Sequence, residues 1–261
     1  MSAMTNTFET YVLNAARGTT TTAPAKVYVG LFLLSPTETG TAGPEASYTG
    51  YARQEVTFGA PTTSGTTVSC SNSNQITFPT PDTAAGTVTY AAICDAASGG
   101  NVLVYKQLTD AIVLTNETSP RFAIGEIVLS MIGGDMSATY KTKVLNFLRG
   151  SNLTGFSPYL AMYDGDPANG GTELAGAEYA RVALTFGAPA EQVSGQMQIS
   201  NSAAAQSPSA TSDWGSWQHT AIMTAATSGD IFYSHSNAAT YPMKNGAQAY
   251  IAAGAINLAI N

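Results

Sequence analysis

The hydrophobic positions of the chain follow two periods, one typical of short helices and one typical of strands. Near the start, apolar residues recur at helical spacing, and Gly18 follows them in the position that commonly ends a helix. The pattern returns later in the chain and ends at Gly150. The apolar stripes of the two predicted helices are Phe8, Val12, Leu13 and Ala16, and then Tyr140, Val144, Leu145 and Leu148.

After each predicted helix, short segments rich in β-branched and aromatic residues alternate with turns rich in Gly, Pro, Asn and Ser. This pattern is typical of strands joined by loops. In each half, a turn of the form Ala-Ala-x-x-Gly joins two of these segments and indicates a hairpin. The predicted strands are 26–34, 51–58, 87–94, 101–107 and 121–131, and then 157–163, 179–186, 217–223, 230–236 and 248–260.

The two halves repeat the same motifs in the same order, about 130 residues apart. Each has a helix ending in Arg-Gly, a Tyr-Ala-Arg segment before Thr-Phe-Gly-Ala-Pro, the hairpin turn and a final Gly-x-Ile-x-Leu strand. We interpret this as the tandem duplication of a domain-sized unit, with its boundary in the glycine-rich segment 133–137. The sequence therefore predicts a mainly β protein of two tandem homologous β-sandwich domains, 1–134 and 135–261, each with a short N-terminal α-helix.

The composition narrows the range of partners. Charged residues make up 10% of the chain and no Lys/Arg cluster is present, so a surface that binds nucleic acid through phosphates is not expected. No apolar run is long enough to span a membrane, and residues 1–6 do not resemble a signal peptide, so we expect synthesis in a cytoplasm. A surface rich in hydroxyls and amides suits a component of a large assembly, because few ions must be desolvated there.

Two cysteines, Cys70 and Cys94, are too few for a disulfide framework. Cys94 aligns with Met223 of the second half, which favours an apolar core position. A bridge between the two cysteines remains an open alternative.

The two histidines offer a weak candidate site for a metal or a response to pH. If the second hairpin turns about Thr227, His219 and His235 lie opposite each other on neighbouring strands. No third carboxylate or thiolate is near them in sequence, as a zinc site would need. A cross-strand surface or interface pair is therefore the preferred interpretation.

Asp164, Asp166 and the downstream Glu173 suggest a loop of oxygen ligands for calcium. The first half has Leu33 and Ser35 at the matching positions, and the twelve-residue calcium pattern is missing. A turn opened by Asp-Pro explains Asp166 without a metal, so we prefer that interpretation.

Both halves retain a small set of tyrosines and arginines. An arginine can tie down loop carbonyls or a carboxylate inside a domain, and it can also anchor a protein–protein interface, where Arg and Tyr are enriched. Both alternatives remain open for the set, which consists of Tyr51, Arg53, Tyr179, Arg181, Arg17 and Arg149.

Aromatic residues of the second half could form a platform on which a sugar stacks. Trp217 lies on a predicted strand and aligns with Val88, so core packing is favoured for it. Trp214, between Asp213 and Gly215, is expected to be more exposed and is a further interface candidate. Tyr233 and Tyr241 lie nearby in the sequence.

Catalytic and cofactor-binding motifs do not emerge from the sequence. It contains no Gly-x-Ser-x-Gly, no phosphate-binding glycine-rich loop before a helix and no His-Glu-x-x-His. A pair of carboxylates for glycoside hydrolysis stays possible, but neither half repeats one. We therefore expect a protein that is not an enzyme and that needs no cofactor.

Taken together, the motifs resemble those of small virion proteins of tailed bacteriophages, of the tail-fibre-like type. The likeness rests on the helix ending in Arg-Gly, a strand of the Tyr-x-x-Leu-Phe type before a proline turn (28–36 and 159–167), the Tyr-Ala-Arg-x-x-x-Thr-Phe segment, the hairpin and the closing Gly-x-Ile-x-Leu strand. The Trp-Gly pair often found before the hairpin in that family is matched by Trp214 and Gly215. The resemblance covers nearly the whole chain, twice.

The resemblance implies a non-enzymatic structural protein of the virion surface. The chain has no heptads or collagen-like triplets, so it is not an elongated shaft by itself. We expect a decoration or cement protein on the capsid, or an accessory of neck or tail, present in many copies and bound to other virion proteins. The alternative is a tail-fibre-like module that binds a receptor or host glycan, and a polysaccharide-degrading enzyme is a more remote one.

Overall fold

The computed structural model describes residues 3–117 and 119–260. The ends of the two predicted domains at positions 1 and 261 therefore lie outside the described residues. We call the parts before and after the boundary at residues 134 and 135 the first and second repeat. The described residues are mainly β and include two α-helices, as the sequence predicts.

The first repeat runs β1 (Ala3–Met4), α1 (Asn6–Ala15), β2 (Val27–Phe32), β3 (Gln54–Val56), β4 (Thr62–Ser64), β5 (Thr67–Ser71), β6 (Ile76–Thr77), β7 (Gly86–Cys94), β8 (Val102–Leu114), β9 (Arg121–Phe122) and β10 (Val128–Met131). The second runs α2 (Ala138–Phe147), β11 (Tyr159–Tyr163), a 3₁₀ helix (Pro167–Asn169), β12 (Val182–Ala183), β13 (Ala190–Glu191), β14 (Met197–Ser200), β15 (Ala205–Gln206), β16 (Ser216–Met223), β17 (Ile231–Pro242), β18 (Tyr250–Ile251) and β19 (Asn257–Ala259).

Each repeat has one large antiparallel sheet and two smaller ones. The large sheets have the strand orders β1-β8-β7-β2-β3 and β12-β11-β16-β17. The smaller sheets are β10-β5-β4 and β6-β9 in the first repeat, and β13-β14-β19 and β15-β18 in the second. Buried side chains from the large and small sheets belong to one cluster, as expected when sheets pack face to face.

The hairpin that the sequence predicts in each repeat carries the same two irregularities. In β7–β8 the register shifts between Val88 and Tyr90 and again between Ile93 and Cys94. In β16–β17 it shifts at the matching places, between Trp217 and His219 and between Ile222 and Met223. Such bulges twist a strand and change which residues face each other, and their retention in both copies marks them as part of the repeated design.

The prediction of a single closing strand in each repeat is wrong. The first, 121–131, is divided into β9 and β10 by a turn at Gly125, whose φ is +82°. The buried side chain of Asn72 holds this turn: it accepts from the Ile127 amide and donates to the carbonyl of Ala123, both at 2.8 Å. Asn201 does the same in the second repeat, where β18 and β19 flank Gly254. The amide side chain satisfies backbone groups that a continuous strand would have paired within its sheet.

The predicted helices are present, and each packs against the other repeat. The body of α1 contacts β14, and that of α2 contacts β5. Phe8 and Phe147 stack between the helices with ring centroids 5.6 Å apart. After the helices, Thr21 and Leu153 pair through two backbone hydrogen bonds of 2.9 and 3.0 Å. One continuous core therefore contains residues of both repeats.

Candidate functional site

The Tyr-Ala-Arg segment of the first repeat is the center of an internal polar network. Arg53 donates to both carboxylate oxygens of Glu45, at 2.9 and 2.8 Å, and to the carbonyls of Ala96 and Gly99 in the hairpin turn. The Tyr51 hydroxyl donates to Glu45 and accepts from the Leu31 amide in the large sheet. The arginine therefore ties the turn and a loop to the edge of the sheet.

The second repeat builds the same network from the matching residues. Arg181 binds both oxygens of Glu173, at 2.8 and 2.7 Å, and the carbonyls of Ala225 and Ser228. Tyr179 donates to Glu173 and accepts from the amide of Met162. Burial raises the pKa of both tyrosines, Tyr51 and Tyr179, so their hydroxyls stay protonated donors.

These contacts correspond to the internal alternative for the retained arginines and tyrosines. Only 9% of each arginine side chain, Arg53 and Arg181, is exposed. The carboxylate partner was missed, although the sequence repeats it: Glu45 and Glu173 each stand eight residues before the arginine. Burial of a bidentate arginine–carboxylate pair is tolerated because each charge is matched and further hydrogen bonded.

The other retained arginines join the two repeats to each other. Arg17 donates through Nε to the carbonyl of Phe186 at 3.4 Å, and Arg149 donates to the carbonyl of Phe58 at 3.1 Å. Both phenylalanines belong to the Thr-Phe-Gly-Ala-Pro motif of the opposite repeat. These arginines therefore anchor an interface inside the chain.

One matching position in the two helices carries opposite charges. Glu9 of α1 accepts a 2.7 Å hydrogen bond from the amide of Met197 in the second repeat. Lys141 of α2 donates to the carbonyl of Thr66 in the first repeat at 2.8 Å, and to that of Gly133. Burial raises the pKa of Glu9 to about 7 and lowers that of Lys141.

The predicted opposition of His219 and His235 is wrong. His219 faces Ser236 and His235 faces Thr220, because the bulge near the turn shifts the register. Since neighbouring residues of a strand point to opposite faces, the two histidines lie on opposite sides of the sheet. His235 instead lies 2.8 Å from the carboxylate of Asp135.

The expected exposures of the two tryptophans are reversed. Trp214 is only 3% exposed, donates to the carbonyl of Ala177 and packs edge-on against Tyr179. Gly176 leaves the space for its ring, because a Cβ there would lie 2.4 Å from the indole. Trp217 is half-buried and packs against Tyr241, which is 47% exposed. The backbone amide of Trp214 donates to the carbonyl of Met243, and its side chain belongs to the core.

The suggested calcium ligands take part in turn hydrogen bonds. Asp164 accepts from the Thr172 amide, and Asp166 accepts from the Ala168 amide at the start of the 3₁₀ helix. Glu173 is held by Arg181. Among residues 3–117 and 119–260, no group of three or more His, Cys, Asp or Glu side chains could hold a metal ion.

Both cysteines are free and buried. Cys94 lies on β7, and Cys70 lies on β5 in a different sheet. Burial raises the pKa of Cys70 to about 11 and that of Cys94 to about 12, so both remain protonated thiols at neutral pH. The core interpretation of Cys94 is confirmed.

Each repeat has a cleft between its hairpin and its closing segment. The first has a volume of about 370 Å³ and the second about 1120 Å³. The first is lined in part by four charged residues, Lys106, Asp110, Arg121 and Glu126. The second is lined by Trp217, Tyr241 and Tyr250 and by amide and hydroxyl side chains. The cleft of the second repeat is thus the larger of the two.

The fold and the tyrosine–arginine–glutamate network that both repeats retain define the class of protein. It is a duplicated β-sandwich in which the features shared by the two copies are structural. A family model described as podophage GP4 fiber I protein gp80 matches residues 3–130 and again residues 135–259. Because these matches span nearly the whole chain, it belongs to this family of phage fibre proteins. The resemblance to tailed-phage virion proteins and the tandem duplication are thereby confirmed. A comparison with curated proteins gives no match.

The chain is therefore a fibre-type protein of a phage virion. No helix in the described parts of the chain has the length and apolar character that a membrane span requires.

Proposed function

We propose that this chain is a non-enzymatic structural component on the outside of the virion, docked on other virion proteins of the fibre apparatus. The observation that carries the proposal is the family match to both repeats, which places the whole chain in a fibre family. The helices that cross between the repeats support it, because they hold two similar surfaces in one fixed arrangement. Two similar surfaces on a rigid body can grip neighbouring subunits, and the second contact then forms at high effective concentration.

Capsid decoration is the second candidate. It is favoured by the low fraction of charged residues, which lowers the cost of desolvation when many copies pack on a lattice. In that case the protein is present in many copies per particle, whereas a fibre component is confined to the tail.

Imaging of purified particles that carry a tagged copy of this chain separates the two candidates. We expect density at the tail and a copy number far below that of the major capsid protein. Density spread over the capsid at a comparable copy number would instead establish decoration. Absence of the chain from purified particles would contradict both.

The non-enzymatic part of the proposal has its own test. The described polar constellations that both repeats retain are engaged in internal hydrogen bonds, and this supports a structural role. We expect the full-length protein, incubated with host-surface polysaccharide, to leave the length of the polysaccharide chains unchanged. Depolymerisation by the purified protein would contradict this part of the proposal.

A further inference from the structure

The cleft of the second repeat has an aromatic wall that the first repeat lacks. Trp217 and Tyr241 face each other across β16 and β17, with ring centroids 5.5 Å apart. The matching cross-strand pair in the first repeat is Val88 and Ile112. Tyr250, which is 65% exposed, also lines the cleft. The duplicated fold thus carries aliphatic side chains at one copy of this position and large aromatic rings at the other.

The indole of Trp217 is held in place rather than free to rotate. Its Nε1 donates to the carbonyl of His219 at 3.0 Å. The bulge after Trp217 is present in both repeats, so the backbone that carries the ring does not depend on the aromatic residue. A fixed ring next to the partly exposed Tyr241 gives a ligand a preformed stacking surface at low entropic cost.

The polar part of this cleft contains few ionisable groups. Apart from tyrosines, its ionisable lining residues are Asp135 and His235, which contact each other at 2.8 Å. The remaining polar groups are amides and hydroxyls: Thr220, Ser236, Asn237, Gln248 and Asn257. In the first repeat, the corresponding cleft has two cationic and two anionic side chains. The second cleft therefore offers hydrogen bonds mostly from uncharged groups.

We propose that the cleft of the second repeat binds a neutral saccharide. A sugar ring has a face of C–H bonds, which can pack on Trp217 and Tyr241, and a rim of hydroxyls, which can exchange hydrogen bonds with amides. A volume of about 1120 Å³ is ample for more than one ring, since typical small-molecule pockets have roughly 300–1,000 Å³. This inference goes beyond the docking role and does not depend on where the chain sits on the virion.

Tryptophan fluorescence of the full chain tests the proposal, because the chain has only two tryptophans and Trp214 is buried away from solvent. The probes are neutral hexasaccharides of glucose, galactose, mannose and N-acetylglucosamine, with hyaluronan as an anionic comparison. We expect saturable binding of at least one neutral probe, seen as a shift of the Trp217 emission and confirmed by calorimetry.

The matched variant replaces the aromatic pair by the pair of the first repeat, as W217V/Y241I. We expect a loss of affinity of at least tenfold, with an unchanged circular dichroism spectrum. The single variant Y241A, at an exposed position, provides the test if the double variant does not fold, and Y90A in the first repeat serves as the control with unchanged binding. No saturable binding of any neutral probe at millimolar concentration, stronger binding of hyaluronan, or full affinity in Y241A would overturn the proposal.

Discussion

The ionisable side chains buried on α1 and α2 show how the two copies have diverged at one equivalent position. Glu9 and Lys141 occupy equivalent positions, and each reaches a backbone group of the opposite repeat. Glu9 needs an N–H donor and Lys141 needs a carbonyl, so the two helices are not interchangeable. The copies have become complementary to each other at this position.

Glu9 gives a pH-dependent contribution to stability. Its pKa is raised from 4.5 to about 7, mainly by burial and further by Glu38, so the folded state holds its proton more tightly than the unfolded chain does. The resulting stabilisation is complete below pH 4.5 and is lost as the pH rises to about 7. It amounts to up to about 3 kcal/mol.

The variant E9Q keeps an acceptor for the Met197 amide and removes the titration. We expect it to be more stable than the parent at pH 8 by about 1–3 kcal/mol, with the difference vanishing near pH 4.5. Urea unfolding between pH 4.5 and 8 measures this, with the exposed E191Q as control. A constant difference between E9Q and the parent at all pH values would rule out this role.

The arginine of each Tyr-Ala-Arg segment is expected to matter for stability more than a surface ion pair does. R53M leaves the Glu45 carboxylate and two turn carbonyls without their donor, so we expect a loss of about 2–4 kcal/mol. K26M removes the exposed Lys26–Glu55 pair and should cost less than about 1 kcal/mol. Equal losses in denaturant unfolding of R53M and K26M would argue against the network as a structural tie.

At the scale of elements, periodicity predicts the two helices and the hairpins but not the small sheets. No strand is predicted in segment 59–74, where Thr and Ser are frequent, yet β4 and β5 form there. β5 pairs with β4 on one side and with β10 on the other, and the contact with β10, which is distant in sequence, overrides the local composition. The interrupted closing strands escaped prediction for a related reason, because the partner of each turn is an asparagine far away in the chain.

That asparagine was visible in the repeat comparison, since Ser-Asn-Ser occurs at 71–73 and again at 200–202. We expect N201A to cost about 3 kcal/mol, because three backbone groups lose a buried partner. Thermal unfolding of N201A checks this, with the neighbouring S202A at an exposed position as control. A loss no greater than that of S202A would show that the side chain does not hold the turn.

The candidate site was also only partly predictable, because its contacts join residues that are distant in the sequence. Retention in both repeats drew attention to Arg53 and Arg181, but it could not distinguish an internal partner from an external one. Trp214 looks exposed because its neighbours are polar, whereas burial is decided by the close approach of Gly176 in space. The register of the histidines depends on a bulge, which the alternation of residue types does not reveal.

At the scale of the whole molecule, the two repeats are joined through a shared hydrophobic core and not only through the segment that links them. Each helix is hydrogen bonded at its N-terminus to its own repeat, through Thr5 and Ser137, and its body also packs on the other repeat. Phe8, Phe147 and Leu153, each at most 1% exposed, belong to the shared core. A truncation between the repeats would therefore expose large apolar surface on both products.

Differential scanning calorimetry of the intact chain tests this central claim most directly. A shared core predicts one transition, with a calorimetric enthalpy equal to the van't Hoff enthalpy, since neither repeat can unfold without opening the other. Two resolved transitions, or a calorimetric enthalpy about twice the van't Hoff value, would show that the repeats fold independently and would contradict the account.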